Sequence, residues 1–362
     1  WSENLNSWEL QVQAPHSLIS FTCKLLYVCS GYYDYEKAYT PSFNKQEIFK
    51  GKIVHPQFWD KNLKCDNKKI TVVGSGATAM TIVPELSKKA KQVNMLQRSP
   101  TYVVSLPSKD YLAKLTGLFL PKKINYTFTR WRYVKLQRFL YKKCKTSPEF
   151  VKTKLLKLLE KQLPKNFNIK KHFTPRYNPW EQRLCLVPDG DFFKSIRDGK
   201  TNVITDEIEE FYEQGIILKS GDKLFSDIVI LATGLNLKLL GGIELFKDGA
   251  PIKISDEFSY KGLMFSNIPN LVYSLGYINA SWTLRSDITS EFVCRVINQM
   301  TKQNNQKVIP ILPNGGCEEG QPLSAEFSPG YIKRGEHMMA KQGDSNPWRF
   351  NQDYSLDKML IK

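Results

Sequence analysis

Residues 69–79 read KITVVGSGATA, an apolar run followed by two glycines one residue apart and by the start of a helical pattern. A short apolar run that ends in glycine is typical of a strand buried in a parallel sheet. Apolar residues then recur at helical spacing, at Met80, Val83, Leu86 and Ala90. The next apolar run, Val93–Leu96, is predicted to be a second strand. The order strand, glycine turn, helix, strand predicts a βαβ unit and an α/β fold.

The glycine turn has the pattern GxGxxA. Its positions are Gly74, Ser75, Gly76, Ala77, Thr78 and Ala79. In a βαβ unit, the first glycine of such a turn permits the tight bend, and the second lets the backbone approach a pyrophosphate. The alanine permits close packing of the helix on the sheet, and the amino end of the helix attracts the anion. The sequence therefore predicts a dinucleotide site, with a purely structural turn as the alternative.

The end of the second strand indicates which dinucleotide is bound. Sites for NAD place a carboxylate there to hold the ribose 2′-hydroxyl. This strand is followed instead by Arg98 and Ser99, and no Asp or Glu is present. Arg98 is expected to pair with a 2′-phosphate through charge-assisted hydrogen bonds, so that NADPH is favoured over NADH. The alternative is an arginine that is merely exposed on a loop.

The remainder of the chain alternates between strand and helix patterns. Short strands are predicted at 8–12, 25–29, 203–204, 215–218, 228–231 and 271–275. A helical, basic segment runs from about 111 to 173, most clearly at 150–163, and a further helix is predicted at 288–300. The expected fold is α/β, with two Rossmann-like, three-layer (ββα/αβα) dinucleotide-binding domains and a helical insertion.

The positive charge of the chain is concentrated in one block. The whole chain carries a net charge of +17, and residues 109–171 contain 18 Lys or Arg against Asp110, Glu149 and Glu160. Such a block can bind nucleic acid or an anionic membrane face, or it can steer an anionic cofactor to its site. The alternative is a solvated helical surface without a partner. Aromatic residues between Asn125 and Lys145 resemble a single-strand nucleic-acid surface, but helical packing explains them better, and no nucleic-acid partner is expected.

Cysteine and histidine usage excludes several classes of protein. The seven cysteines contain no CxxC pair, which argues against a disulfide reductase and is typical of reduced thiols in the cytoplasm. The four histidines are far apart in sequence, so no metal site is expected. No run of about 18 uncharged apolar residues occurs. The predicted location is the cytoplasm. The alternative is peripheral attachment to the inner face of the cell membrane through the basic block.

A second motif lies ahead of the glycine turn. Residues 49–60 read FKGKIVHPQFWD, where Phe49, Gly51, His55 and Trp59 fill the pattern FxGxxxHxxxW. This pattern before GxGxxA resembles the fingerprint of Baeyer–Villiger monooxygenases. Further similar stretches are HFTPRYNPWEQRLCLVPDGD (172–191), LATGLNL (231–237), GYINASWTL (276–284) and NPWRFNQDY (346–354). They resemble the subgroup that contains a mycobacterial ethionamide-activating monooxygenase.

The resemblance implies a reaction and its cofactors. NADPH would reduce bound FAD, and O₂ would form a C4a-peroxyflavin that inserts one oxygen into a ketone or oxidises a sulfide or thioamide. Arg183 matches the catalytic arginine of the family, which stabilises anionic oxygen, with a structural salt bridge as the alternative. His55 and Trp59 are expected at a hinge, and Thr233 with Gly234 at the return crossing between domains. The resemblance also implies that residues 29–32 form the first crossing and that residues 276–282 contact the flavin ring. A flavin-containing monooxygenase that oxidises nitrogen or sulfur is the enzymatic alternative, and a basic interaction protein without activity is the other.

The resemblance also gives domain boundaries. Residues 1–59 would be part of the FAD-binding domain with a linker, 60–232 the NADPH-binding domain with the insertion at about 105–175, and 233–362 the returning part of the FAD-binding domain. The first residue is Trp1, and the glycine motif that grips FAD in this family has no counterpart here. We therefore expect a fragment whose FAD domain is incomplete and which binds FAD poorly and has little activity by itself.

Overall fold

The computed structural model describes residues 1–182, 184–313, 320–322 and 329–361. Contacts between residues divide the chain into two compact units. The first unit comprises Trp1–Asp34 and Asn236–Lys362, and the second comprises Tyr35–Leu235. We call them the split unit and the central unit.

In the described residues the strands are, in chain order, β1 (Trp8–Gln13), β2 (Leu18–Cys23), β3 (Leu26–Val28), β4 (Tyr33–Ala38), β5 (Lys52–Val54), β6 (Lys69–Val73), β7 (Gln92–Gln97), β8 (Val103–Leu106), β9 (Cys185–Pro188), β10 (Thr201–Thr205), β11 (Ile208–Tyr212), β12 (Gly215–Leu218), β13 (Lys223–Phe225), β14 (Ile228–Leu231), β15 (Leu235–Leu237), β16 (Leu245–Lys247), β17 (Ala250–Ile252), β18 (Ser259–Tyr260), β19 (Met264–Phe265), β20 (Leu271–Tyr273), β21 (Gln321–Pro322) and β22 (Lys341–Gln342). The α-helices are α1 (Ala77–Ser87), α2 (Tyr111–Thr116), α3 (Lys122–Thr146), α4 (Pro148–Glu160), α5 (Ile169–His172), α6 (Asp191–Arg197), α7 (Trp282–Gln303), α8 (Gly330–Gly335) and α9 (Tyr354–Leu360).

A parallel five-stranded sheet, in the order β10-β7-β6-β14-β5, forms the core of the central unit. Helices α1 and α6 cover one face, where Ile70, Val72 and Val83 are fully buried. The antiparallel strands β11, β12 and β13 cover the other face, where Phe211 and Ile216 pack on Val229. Strands with apolar side chains on both faces fit only between two such layers. The predicted α/β fold with three layers is confirmed for this unit.

Strand β5 lies in this sheet, although the sequence analysis placed residues 49–59 in a linker that belongs to the FAD-binding domain. β5 pairs in parallel with β14, and Lys52 N–H donates to the Asp227 carbonyl at 3.2 Å. Gly51 makes this possible, because a Cβ there would lie 2.5 Å from the Asp227 carbonyl oxygen. The two compact units divide after residue 34 and after residue 235.

Helices α2, α3, α4 and α5 occupy the predicted helical insertion of the central unit. The insertion leaves after β8 and returns at β9, and these two strands pair in parallel. Tyr102 Oη donates to the Tyr177 carbonyl at 2.8 Å, and Tyr177 Oη donates to Thr101 Oγ1 at 2.9 Å. The two ends of the insertion are thereby fixed together. Among the helices of the described residues, none is both long enough and apolar enough to cross a membrane.

The split unit is built on the parallel pair β3 and β20, which the sequence predicts within 25–29 and 271–275. Helix α7 packs on this pair through Ile288 and Val293. The hairpin of β1 and β2 adds Trp8, which is buried and donates its indole N–H to the Pro269 carbonyl at 3.1 Å. The sequence predicts β1 but misses β2, most of whose side chains are exposed.

An ion pair between Arg285 of α7 and Asp357 of α9 lies inside the split unit. Their side chains are 0% and 2% exposed. Arg285 also donates to the Lys261 carbonyl, and Tyr277 Oη donates to Asp357 Oδ2 at 2.7 Å. Burial raises the pKa of Asp357 above its usual range, and the positive charge of Arg285 opposes this shift. The pair ties two distant parts of the chain together at a high desolvation cost.

We expect Arg285→Met to destabilise the split unit, and more so at alkaline pH. Without the guanidinium, the folded-state pKa of Asp357 rises further above its unfolded value. A carboxyl with a raised folded pKa contributes stability at low pH that is lost as the pH increases through that pKa. The loss should reach about 3–5 kcal/mol near pH 8 and be smaller near pH 5, as measured by urea unfolding. The double variant R285M/D357N should lose this pH dependence. An equal loss for R285M at both pH values would contradict the account.

Candidate functional site

The carboxyl ends of the parallel strands of the central unit bring four predicted site residues to one edge of the sheet. Gly74 follows β6, Arg98 follows β7, His55 follows β5, and Thr233 lies two residues beyond the end of β14. Ligands of open α/β sheets bind at this edge, outside the carboxyl ends of the strands. Residues that are separated in sequence by almost 180 positions, from His55 to Thr233, thus lie at one edge of the sheet.

Gly74 makes the tight turn at the end of β6. Its φ of +140° is a conformation that favours glycine. A Cβ at this position would lie 2.3 Å from the Ala232 carbonyl oxygen, at the end of the neighbouring β14. Its N–H donates to the Leu96 carbonyl of β7 at 2.8 Å. Gly74 is therefore held between two neighbouring strands, where another side chain does not fit.

Gly76 is different, because a Cβ there would point into open space with no atom within 4 Å. Gly76 is the N-cap of α1, and no side chain caps this helix end. The first N–H groups of an α-helix have no partner within the helix. Ala77 and Thr78 in this turn are exposed, while Ala79 is fully buried against the sheet. Uncapped N–H groups, an open approach and close packing behind them are the features that a pyrophosphate site requires.

The turns after β6 and β7 are joined by a side chain. Ser75 Oγ donates to the Ser99 carbonyl at 3.1 Å. Arg98, directly before Ser99, is exposed. Lys219 forms an ion pair with Glu207 at 2.8 Å and makes the largest contribution to lowering the pKa of Glu207. The positive charge of Arg98 makes a smaller contribution in the same direction. The guanidinium of Arg98 makes no ion pair with any described residue, so it is available to an anion beside the glycine turn.

Sequence analysis missed a set of residues that supports the end of β7. Gln97 Nε2 donates to the His172 carbonyl at 2.7 Å and to Thr205 Oγ1 at 2.9 Å. His172 Nδ1 lies 2.8 Å from the same hydroxyl, and burial lowers the pKa of this imidazole. These contacts connect the end of the insertion with β7 and β10. No sequence motif announces them, because the three residues lie in segments that only the fold brings together.

The four residues of the FxGxxxHxxxW pattern divide into two groups. Phe49 is buried against Phe211, and Gly51 is the point of close approach to Asp227. His55 caps the turn after β5, where its Nδ1 accepts from Gln57 N–H at 3.1 Å. Trp59 is 38% exposed. The first two residues therefore build the sheet, and the last two lie at its carboxyl edge and surface.

The imidazole of His55 has its Nε2 buried without a hydrogen bond of ordinary geometry among the described residues. Burial lowers the pKa of His55, and the nearby backbone of Gly234 opposes this shift. Thr233 Oγ1 donates to the Tyr39 carbonyl at 2.8 Å, which fixes the segment beside the histidine. The lowered pKa favours the neutral imidazole of His55 at the carboxyl edge of the sheet.

Arg183, the predicted catalytic arginine, lies outside the described residues. The strand that follows it, β9, begins beside the glycine turn. Cys185, the first residue of β9, is buried, and its thiol lies 4.0 Å from the Ser75 carbonyl.

The split unit has a smaller edge of its own. Ser30 and Gly31 lie shortly after β3, and Gly276 lies in the segment between β20 and α7. Ser274 N–H donates to the Val28 carbonyl at 2.9 Å, and Ser30 Oγ is buried without a hydrogen-bond partner among the described residues. A Cβ at Gly276 would meet the Trp282 ring at 2.0 Å. These are the segments that the sequence analysis assigned to the first crossing and to the flavin contact.

Comparison with known proteins identifies the family of the chain. The sequence model for flavin-binding monooxygenase-like proteins (FMO-like) matches residues 6–308. The FAD-containing monooxygenase EthA of Mycobacterium tuberculosis (strain ATCC 25618 / H37Rv) is 47% identical over 363 residues, which cover 100% of this chain and 74% of EthA. The probable FAD-binding monooxygenase AlmA of Acinetobacter baylyi is 43% identical, covering 98% of this chain and 71% of AlmA.

Solved structures agree on the fold. The oxidised steroid monooxygenase bound to NADP has a TM-score of 0.69 at 17% identity, covering 99% of this chain and 77% of that protein. The open form of cyclohexanone monooxygenase has a TM-score of 0.66 at 16% identity, covering 85% and 68%. At these identities, the structures support the fold alone, whereas the family match and the curated relatives carry the assignment. The chain belongs to the flavin-binding monooxygenase-like family of enzymes.

Proposed function

We propose that this chain serves an NADPH- and FAD-dependent monooxygenase reaction of the Baeyer–Villiger type. One atom of O₂ enters the substrate and the other leaves as water, with two electrons supplied by NADPH. The substrate is a ketone, which becomes an ester, or a sulfide or thioamide, which is oxidised at sulfur. The observation that carries the proposal is the position of β5: the fingerprint strand lies in the same sheet as the GxGxxA turn, so His55 and the turn share one edge.

The central unit would hold NADPH. The N–H groups at the start of α1, beside the open Gly76, would bind the pyrophosphate. Arg98, exposed one residue after β7, would bind the 2′-phosphate, which explains the absence of a carboxylate there. Each charge-assisted hydrogen bond of this kind contributes about 1.5–3 kcal/mol.

FAD, when bound, supplies the oxygen-activating chemistry. The residues of the chain would orient the cofactor and the substrate and exclude water from them. Ser30 Oγ, which is buried and lacks a partner among the described residues, is the kind of polar atom that a bound flavin nucleotide would satisfy. Arg183 is proposed to neutralise negative charge that develops on oxygen, and loss of one such donor costs roughly 2.7–4 kcal/mol. His55 and Trp59 are proposed as positioning residues at the hinge, since a neutral, half-buried imidazole is suited to contacts that change on closure.

Isotope incorporation tests the proposed reaction. The chain, by itself and extended at its amino end by the FAD-binding segment of a relative, would be supplied with FAD, NADPH and ¹⁸O₂ together with cyclic ketones and aryl sulfides, and the products would be analysed by mass spectrometry. The expected result is one ¹⁸O atom in the ester or sulfoxide for each NADPH consumed by the extended form, and little product from the chain by itself. Oxidation of NADPH with release of hydrogen peroxide and no oxygenated product across the panel would refute the proposal. Oxidation of amines and sulfides without any ester would favour the alternative, a flavin-containing monooxygenase.

Arg98→Gln should reverse the preference for NADPH. The loss of charge-assisted bonds predicts that the Kd for NADPH rises about tenfold to a hundredfold, whereas the Kd for NADH changes little. Titration calorimetry with both nucleotides measures this difference. Arg197→Gln is the matched control, because Arg197 is an exposed arginine at the end of α6, next to the opposite edge of the sheet. Equal weakening for NADPH and NADH would assign Arg98 a general role instead of recognition of the 2′-phosphate.

Substitutions at the two glycines should separate binding from folding. Gly76→Val fills open space, so the melting temperature should stay close to wild type while binding of NADPH falls at least about tenfold. Gly74→Val meets the Ala232 carbonyl and a positive φ, so it should lower the melting temperature. Calorimetry and thermal unfolding of both variants provide the comparison. Undiminished nucleotide binding by Gly76→Val would exclude this turn as the pyrophosphate site.

A further inference from the structure

A helical hairpin of the central unit projects an apolar turn into solvent. We call the hairpin the α2–α3 hairpin; it comprises α2 (Tyr111–Thr116), α3 (Lys122–Thr146) and the turn 117–121 between them. At the turn, Leu118 is 74% exposed and Phe119 is 79% exposed. Exposing two large apolar side chains at adjacent positions is unfavourable in water, so such a tip points to a contact surface.

The hairpin is held rigidly on both sides of its turn. Near the tip, Thr116 Oγ1 donates to Asn125 Oδ1 at 2.6 Å, and Asn125 Nδ2 donates to the Ala113 carbonyl at 3.0 Å. Further back, Asp110 accepts from Ala113 N–H at 3.0 Å and forms an ion pair with Arg132 of α3. The exposure of Leu118 and Phe119 is therefore fixed by contacts between the two helices.

The apolar surface continues along α3. Ile124, Phe128, Trp131 and Phe139 are exposed and recur at helical spacing, so they share one face. Phe128 and Trp131 stack on each other with ring centroids 6.2 Å apart. Within α3, which the structure describes completely, Cys144 is the one buried residue. The helix thus contributes little to the core and presents its length to solvent.

Positive charge surrounds this apolar surface. Residues 109–146 contain eleven Lys or Arg and a single acid, Asp110, a net charge of +10. Lys122 and Lys123 directly follow the tip, and both are exposed. Lys135 and Lys142 fall at the spacing of the Phe128 and Phe139 face. Apolar side chains flanked by lysines are the pattern of interfacial segments, whose apolar part enters a bilayer to a depth of roughly 5–10 Å.

We propose that the α2–α3 hairpin binds the surface of an anionic lipid bilayer. Leu118 and Phe119 enter the boundary between headgroups and acyl chains, and Lys122 and Lys123 contact the lipid phosphates. The face of α3 with Phe128 and Trp131 extends this contact, because tryptophan and phenylalanine are favoured at this depth. The attachment is peripheral, and it is independent of the oxygenation proposed above.

Two other occupants fit the surface less well. Single-stranded nucleic acid is bound by aromatic rings in a basic groove, and a protruding tip with an aliphatic leucine provides no such groove. A second copy of the hairpin would bring two surfaces of charge +10 together, and like charges at an interface are strongly unfavourable. An anionic bilayer offers an apolar interior and negative phosphates together, as the tip and its lysines require.

Co-sedimentation with vesicles tests the proposal. The chain would be mixed with vesicles of phosphatidylglycerol and phosphatidylcholine, or of phosphatidylcholine alone, at low and high salt. We expect partition onto the anionic vesicles only, and less at high salt. L118S/F119S should weaken partition by at least about tenfold. K122E/K123E should weaken it by at least about tenfold as well.

Matched controls separate this tip from general surface effects. I311S/M359S removes two side chains of the split unit that are 70% and 67% exposed, and K64E/K68E reverses two exposed lysines of the central unit outside the hairpin. Both should bind vesicles like the wild type, and all four variants should keep the wild-type melting temperature. Equal partition of the tip and control variants would overturn the proposal. Two other results would also overturn it, each in the absence of binding to vesicles. One is binding of the chain to a single-stranded oligonucleotide, and the other is a dimer in gel filtration that depends on the tip residues.

Discussion

The close approach between the turn after β6 and the end of β14 is the constraint on which the carboxyl edge of the central sheet depends. Gly74 leaves no room for a Cβ beside the Ala232 carbonyl, so the two strand ends lie side by side. Helix α1 begins at this edge with its first N–H groups uncapped and packs on one face of the sheet, and the backbone of Gly234 lies beside His55. An anion site made from backbone groups needs such a framework, because backbone N–H groups are positioned only by the packing of the elements that carry them.

The segment with the FxGxxxHxxxW motif is not simply a linker, because it forms strand β5 of the central sheet. Phe49 enters the core on one face of the sheet, and Gly51 lets β5 approach Asp227. The strand in turn places His55 at the carboxyl edge, next to the segment that leaves the central unit. This position beside the segment that leaves the central unit is the physical reason for proposing a positioning role for His55 instead of a chemical one.

The central unit carries two different kinds of surface on one framework. The sheet edge is formed by short turns whose backbone is held by strand pairing, as suits a small polar ligand. The α2–α3 hairpin has almost no buried side chains, and its internal contacts fix its shape without using its apolar face. Tyr102 and Tyr177 hold the two ends of the insertion together, and β9, which follows the insertion, begins beside the glycine turn.

Local patterns in the sequence were sufficient for the βαβ unit, the glycine turn and the helical insertion, because strand and helix periodicity and the demands of a tight turn act over a few neighbouring residues. Only the tertiary structure decided that β5 joins the parallel sheet, since its partner Ile228–Leu231 lies far along the chain. It also decided the support of Gln97 by His172 and Thr205 and the burial of Arg285 with Asp357. These contacts join segments whose own sequences show no periodic signal for them, and they form only when folding brings the segments together.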